Sequence, residues 1–375
     1  MDRIYLDYNA TTPLAAEVGS AMQPFLNGEF GNASSSHWAG QRAREAVDRA
    51  RGQVAGLLGC ETSEIVFTSG GTEANNAALA GVFFRQQKDS PPHFIISSVE
   101  HPSVASTCAF LEQLGAAVTR IAVDRFGMVA ANDVAAAIRP ETALISVMHA
   151  NNEVGTIQPI REIAAIARKR NVLMHTDAAQ SAGKIPVDVC ELGVDLLSIA
   201  GHKMYAPQGV GALFIRQGVQ LEPWLHGAGH EHGRRAGTEN ILQIVGLGAA
   251  CDLASQRIHD RSIQKLRDGF WSRLQEQFGD HVVLNGHPEV RLPNTLNVSF
   301  PGYVGHELLS RIPQLAASTG SACHAGNHEL SPVLRAMHLP ETIALGAIRF
   351  SLGRTTTMDE LEIVVNALTQ TLAKR

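Results

Sequence analysis

Lys203 closes the run Ser198-Ile199-Ala200-Gly201-His202-Lys203, which follows the apolar stretch 194–197 and precedes the broken turn Ala206-Pro207-Gln208-Gly209. A lysine at a strand end lies where α/β sheets place their chemistry, in the crevice beyond the strand carboxyl ends. A desolvated amine there can form a Schiff base with a carbonyl compound. The same run is compatible with a solvated loop lysine, so the other strand ends decide its meaning.

Four further segments carry polar groups just past a strand-like run. Thr68-Ser69-Gly70-Gly71-Thr72-Glu73-Ala74-Asn75-Asn76 is a glycine turn opening a helix. Its free N–H groups and the positive end of the helix dipole suit a phosphate, and an ordinary cap on Thr72 is the alternative. His175-Thr176-Asp177-Ala178-Ala179-Gln180 offers a carboxylate and an amide; Asp177 can pair with a cationic ring nitrogen or cap a following helix. His101, in Val99-Glu100-His101-Pro102-Ser103, can lie over a ring and carry protons, although with 16 histidines in the chain a structural role is open to any one of them. Asn152, in Met148-His149-Ala150-Asn151-Asn152-Glu153-Val154-Gly155, can bond a ring oxygen or a carboxylate, or simply make a turn. Taken jointly these segments supply a phosphate nest, a ring stacker, a ring-oxygen partner, a pyridinium anion and an amine. That is the set a pyridoxal 5'-phosphate (PLP) site needs, because an anion on the ring nitrogen keeps the ring protonated as an electron sink.

The elements that must position these groups follow from hydrophobic patterning. Strand-like runs lie at 64–68, 94–97, 142–147, 172–176, 195–199 and 211–215, with helical stretches such as 45–58 and 160–168. This alternation predicts an α/β fold with a mostly parallel, helix-covered sheet. Beyond about residue 250 a charged helix near 261–278, a strand at 292–300 and helices ending in 358–372 read as a smaller α+β domain. The 375 residues suffice for two domains, since single cores stop growing near about 250–300 residues.

Lys+Arg 31 against Asp+Glu 36 gives no strong field for nucleic acid or membrane. No apolar run approaches the roughly 20 residues of a membrane helix, and the N-terminus lacks a secretory pattern, so a soluble cytoplasmic protein is expected. Cys60, Cys108, Cys190, Cys251 and Cys323 are odd in number and scattered, which fits neither a disulfide framework nor a CxxC metal site.

The chain is similar, over essentially its whole length, to the NifS-like cysteine desulfurases of the class V aminotransferase fold. The resemblance is carried by Tyr5-Leu6-Asp7-Tyr8-Asn9-Ala10-Thr11-Thr12-Pro13, Gly71-Thr72-Glu73, Glu100-His101-Pro102, Asn151-Asn152-Glu153, Asp177-Ala178-Ala179-Gln180, Gly201-His202-Lys203, Arg235-Ala236-Gly237-Thr238-Glu239-Asn240, Gly320-Ser321-Ala322-Cys323 and Ile348-Arg349-Phe350-Ser351-Leu352-Gly353-Arg354. It implies a PLP-dependent transferase of fold type I: a large domain, 13–252, on a mostly parallel seven-stranded sheet, and a smaller α+β domain from 1–12 and 253–375. It further implies a homodimer with Lys203 as the Schiff-base lysine, Asp177 on the pyridinium nitrogen, and Gln180 and Asn152 near the ring oxygen. His101 would stack on the ring and share in catalysis. Gly71, Thr72 and His202 would surround the phosphate, with Thr238 reaching it from the partner subunit. Asn9, Asn152 and Arg349 would hold the substrate, Arg349 by forking onto its α-carboxylate in a geometry lysine cannot reproduce. Cys323, in the small and polar stretch 318–329, would take sulfur from L-cysteine as a persulfide, leaving L-alanine, and pass it to an acceptor protein.

Three departures bear on the substrate and the acceptor. Ala200 stands where typical desulfurases have a phosphate-binding serine. His324 and Ser331-Pro332-Val333-Leu334, like Ala200, resemble selenocysteine lyases, whereas Pro102 follows NifS. The chain also ends at Arg375 without the extended tail by which housekeeping desulfurases dock an iron–sulfur scaffold, so delivery to that scaffold is not implied. Release of selenium from L-selenocysteine is therefore the alternative expectation. A true aminotransferase would leave Cys323 without a role, and a non-catalytic binding protein would carry no Schiff base on Lys203.

Overall fold

The computed structural model describes residues 3–86, 91–319 and 330–373. Its central sheet has seven strands in the spatial order Ile65–Thr68, Gly211–Ile215, Leu196–Ala200, Leu173–Asp177, Thr142–Ser146, His93–Ser97 and Ala117–Ile121. Gly211–Ile215 is antiparallel to both neighbours and every other pairing is parallel. Two reversals restore direction, so Ile65–Thr68 runs with the parallel strands and six carboxyl ends open on one edge of the sheet. The expected seven-stranded, mostly parallel sheet is present. The strand that patterning missed, Ala117–Ile121, is a half-exposed edge strand carrying Arg120, the kind of short charged edge that resists unwanted pairing and lacks an apolar run.

Apart from that edge strand, the strands are buried on both faces, as helix-covered parallel sheets require. One face packs Ile95, Ile145, Met174, Leu197 and Phe214 against helices that include Trp38–Leu58; the other packs Phe94, Leu144, Leu196 and Leu213 against Gly71–Gln86. The helix expected at 45–58 begins earlier because its first turns bury Ala39, Ala43 and Ala46, which carry little hydrophobic signal, and because His37 Nδ1 accepts from Gly40 N–H. It stops at Gly59, whose φ of 67° is left-handed.

A second core joins Phe270, Leu274, Val298, Phe300, Ile348, Phe350, Leu361 and Leu368 to Ile4 and Leu6 from the N-terminal segment. It lies on the antiparallel strands Val283–Asn285, Thr295–Ser299 and Ala347–Ser351. The phenyl rings of Phe270 and Phe350 meet edge-on at 5.2 Å. Val333, Leu334 and Met337 pack instead on the first core. No helix among the described residues is long and apolar enough to cross a membrane.

A buried ion pair holds the strand that leads into the glycine turn. Glu231 accepts from both terminal nitrogens of Arg51 at 2.8 Å and from Phe67 N–H at 2.9 Å, while Arg51 also donates to the Ile65 carbonyl. Removing the carboxylate strands a buried guanidinium. Glu231→Ala is expected to cost about 3–5 kcal/mol, read as a lower denaturant midpoint against wild type.

Candidate active site

Five strand ends and two segments of the second core meet at one cavity of about 380 Å³. It is lined by Gly71, Thr72, His101, Asn152, Asp177, Gln180, His202 and Lys203, together with Asn9 and Arg349. Of the residues singled out by sequence, Thr238 is exposed and does not line this cavity within one chain, and Cys323 lies outside the described residues. The ends of the segment holding Cys323 are nevertheless tied to the site. Ser318 pairs through its backbone with Arg349, and Ser331 Oγ donates to the buried Glu153 carboxylate at 2.5 Å.

Lys203 ends a short 3-10 turn, Gly201–Lys203, that follows its strand directly. Its Nζ donates to the carbonyls of Asn9 at 2.6 Å and Ala10 at 2.7 Å, and no carboxylate among the described residues is bonded to it. Burial, reinforced by the Arg349 guanidinium, brings the amine down to about 8. Ordinary lysines titrate near about 10.4. The amine is thus held by uncharged acceptors rather than in an ion pair with a described carboxylate.

The helix Gly71–Gln86 starts at the cavity, so the N–H groups of its first turn, which have no intrahelical acceptors, open toward it. A Cβ on Gly71 would come within 3.2 Å of the Ala200 Cβ, which fixes a small residue at that turn. Glu73, in the first turn of the helix, accepts from Ser69 N–H just ahead of it and pairs with Arg235, which ties the glycine turn to the helix start. His202 Nδ1 meets Thr11 Oγ1 at 3.2 Å, and burial with Lys203 nearby pushes its imidazole down to about 4.

Asp177 is followed by turns, not by a helix, so the capping alternative falls away. One oxygen accepts from Ala179 N–H at 2.9 Å and the other from Asn75 Nδ2 at 2.7 Å. Asn75 also donates to Ser103 Oγ, which contacts His101 Nδ1 at 2.8 Å. His101 Nδ1 accepts from Ser103 N–H, which leaves the proton of the neutral ring on Nε2. Burial, with Lys203 adding and Asp177 opposing, holds this imidazole below the ordinary range. Glu100 braces the same strand end: its Oε1 accepts from Ser97 Oγ and Met148 N–H, and burial raises its carboxyl to about 8.

Asn75, Ser103 and Glu100 escaped the sequence analysis as site residues. Asn75 lies four residues after Gly71 on one helix, a spacing that puts both on one face and was legible in principle.

Two substrate-binding expectations need refinement. The Asn9 side chain is spent on protein, its Oδ1 on Lys184 and Asn294 and its Nδ2 on Asn152 O and Thr295 Oγ1. Asn9 is a structural hub at the cavity wall. Arg349 is buried, with its terminal nitrogens on the Asp7 carboxylate at 2.7 Å and the Asn152 carbonyl at 2.9 Å, and its Nε has no partner among the described residues. The Asn152 side chain makes no bond to another described residue.

The donors and acceptors fit a phosphorylated pyridine aldehyde. The helix start suits an anion, the anchored carboxylate a ring cation, the amine of lowered basicity an aldehyde, and the cationic group with a free N–H a carboxylate.

The chain belongs to the class-V aminotransferase family, whose sequence profile matches residues 4–364. It is 46% identical over 99% of its length to 95% of a cysteine desulfurase IscS of Dictyoglomus turgidum, and 45% identical over 99% of its length to 92% of a cysteine desulfurase IscS of Methanosarcina thermophila. Among solved structures, a NifS-like protein superposes with a TM-score of 0.92 at 36% identity, covering 99% of both chains. A second, described as SspA in complex with cysteine, superposes at 0.83 with 37% identity over 93% of this chain and 98% of its own.

The lowered amine basicity has a direct readout. In cofactor-free protein, acylation of Lys203, followed by peptide mass spectrometry, is expected to rise with pH to half its maximum near pH 8, where the amine loses its proton. A midpoint at the ordinary lysine value would contradict the geometry.

Proposed function

We propose that this protein is a PLP-dependent cysteine desulfurase that converts L-cysteine to L-alanine, leaves the sulfur as a persulfide on Cys323 and works as a homodimer. The observation that carries this reading is the meeting of Lys203, Asp177, His101, the Gly71 turn and Arg349 at one cavity. The full-length similarity to proteins named cysteine desulfurase supports it.

When bound, the cofactor supplies an aldehyde for exchange of amines and a pyridinium ring that accepts the electrons of the substrate Cα–H bond. Lys203 would hold the cofactor covalently through its Nζ. When free, the same Nζ would take the Cα proton of the substrate, a role that needs an amine titrating near neutral pH. Asp177, with both oxygens fixed by Asn75 and Ala179, would supply the negative charge that keeps the ring nitrogen protonated. Gly71, Thr72 and His202 would bind the phosphate, joined by Thr238 of the partner subunit. Gln180 and Asn152 offer amide N–H groups to the ring oxygen. His101, neutral and protonated on Nε2, would lie against the ring. Arg349 offers its free Nε to the substrate carboxylate, which competes with Asp7 for the rest of the guanidinium.

Sulfur leaves by transfer to Cys323. Its thiolate forms an S–S bond to the substrate sulfur as the Cβ–S bond breaks, and protons taken up at carbon complete L-alanine. One cysteine and one enzyme thiol thus give one alanine and one enzyme persulfide. An acceptor protein then takes the outer sulfur.

Alanine release separates the readings. Cys323→Ala is expected to abolish turnover of L-cysteine while keeping the visible band of the Lys203 Schiff base. Arg349→Lys should lower kcat/KM roughly ten- to a hundredfold, chiefly through KM, as loss of a charge-assisted bond of about 1.5–3 kcal/mol requires. Turnover of L-selenocysteine with L-cysteine acting only as an inhibitor would instead establish a selenocysteine lyase.

A further inference from the structure

Lys184 lies four residues after Gln180, in the turns that follow Asp177. Together with Lys203 it lines a second cavity, of about 90 Å³. It makes no ion pair with a described carboxylate. Its Nζ donates to Gln180 Oε1 at 2.9 Å and to Asn9 Oδ1 at 3.3 Å. These two acceptors match the two N–H bonds of an uncharged amine. Burial, with Lys203 and Arg349 adding, holds this amine well below the ordinary lysine range.

The orientation of Gln180 depends on this contact. Gln180 Nε2 donates to the Asn9 carbonyl at 2.9 Å, the same carbonyl that takes Lys203 Nζ at 2.6 Å. Turning the amide over would set Gln180 Oε1 against the Asn9 carbonyl, a buried meeting of two acceptors, and would take from the Lys184 N–H bonds the oxygen they now reach. With Lys184 in place, only the N–H side of Gln180 remains for the cavity.

We propose that Lys184 is a positioning residue: by holding Gln180 Oε1 and Asn9 Oδ1 it keeps the Gln180 amide with its N–H side available to a bound cofactor, and keeps the Asn9 carbonyl on Lys203. This rests on the reading that Lys203 forms a Schiff base with PLP. An N–H donor held toward the oxygen anion of the cofactor disfavours protonation of the Schiff base beside it. The other charged and titratable groups around the two lysines, Asp7, Asp177, His101, His202, Arg349 and, along the second cavity, Tyr8, Tyr205, Arg257, Asp260 and Arg354, stay unchanged in the variants.

The test is a pH titration of the visible band of the purified holoenzyme. Lys184→Met, of similar length but with no donor, is expected to raise the titration midpoint by about one unit. Lys184→Gln keeps two N–H donors and is expected to stay within about 0.3 unit of wild type. An unmoved midpoint in Lys184→Met, or an equal rise in both variants, would overturn the inference. If Lys184→Met does not fold, Lys184→Gln decides: a midpoint within about 0.3 unit supports the inference and a rise near one unit overturns it. Wild-type protein with no visible band would overturn the PLP reading itself, an outcome distinct from an unmoved variant.

Discussion

A reactive lysine must be desolvated without being neutralised, and the site is built around that conflict. Burial lowers the basicity of Lys203, and a carboxylate in contact would restore it. The protein meets its N–H bonds with backbone carbonyls, those of Asn9 and Ala10, which accept hydrogen bonds without bringing a full charge. The nearest anions have other work: Asp7 is paired with Arg349, and Asp177 is held by Asn75 and Ala179.

Meeting that constraint requires two parts of the fold at once. The sheet delivers Lys203, but the carbonyls come from the N-terminal segment, whose Ile4 and Leu6 are anchored in the second core. Asn9 joins the two: its amide reaches Thr295 and Asn294 on one side and Lys184 on the other, while its carbonyl receives Gln180 and Lys203. The cavity exists only where both cores are in register. Arg349 belongs to the same junction, since its strand Ala347–Ser351 is part of the second core and its guanidinium crosses to Asn152.

Much of this was legible in the chain. Lys203, Asp177, His101 and the Gly71 turn each follow an apolar run, and a parallel sheet sends all such ends to one edge, so the order of runs was enough to bring the groups together. The edge strand Ala117–Ile121 was not legible because an edge needs no continuous apolar run. The Asn75–Ser103–His101 relay and the Lys184 contact were not legible because they depend on side-chain direction between elements far apart in sequence. Asn9 was read as a substrate ligand from its motif, but its amide is consumed by four protein partners that only the fold assembles.

The sequence by itself determined the class of chemistry and the sheet that supports it, because hydrophobic period and residue type act locally. It also supplied the family, through motifs spread across both cores. Tertiary structure alone decided the protonation poise of Lys203, the tautomer of His101, the engagement of Arg349 with Asp7 and the orientation of Gln180. These are properties of buried polar groups, and their energies depend on which donors, acceptors and charges from distant segments share the same few ångströms without water between them.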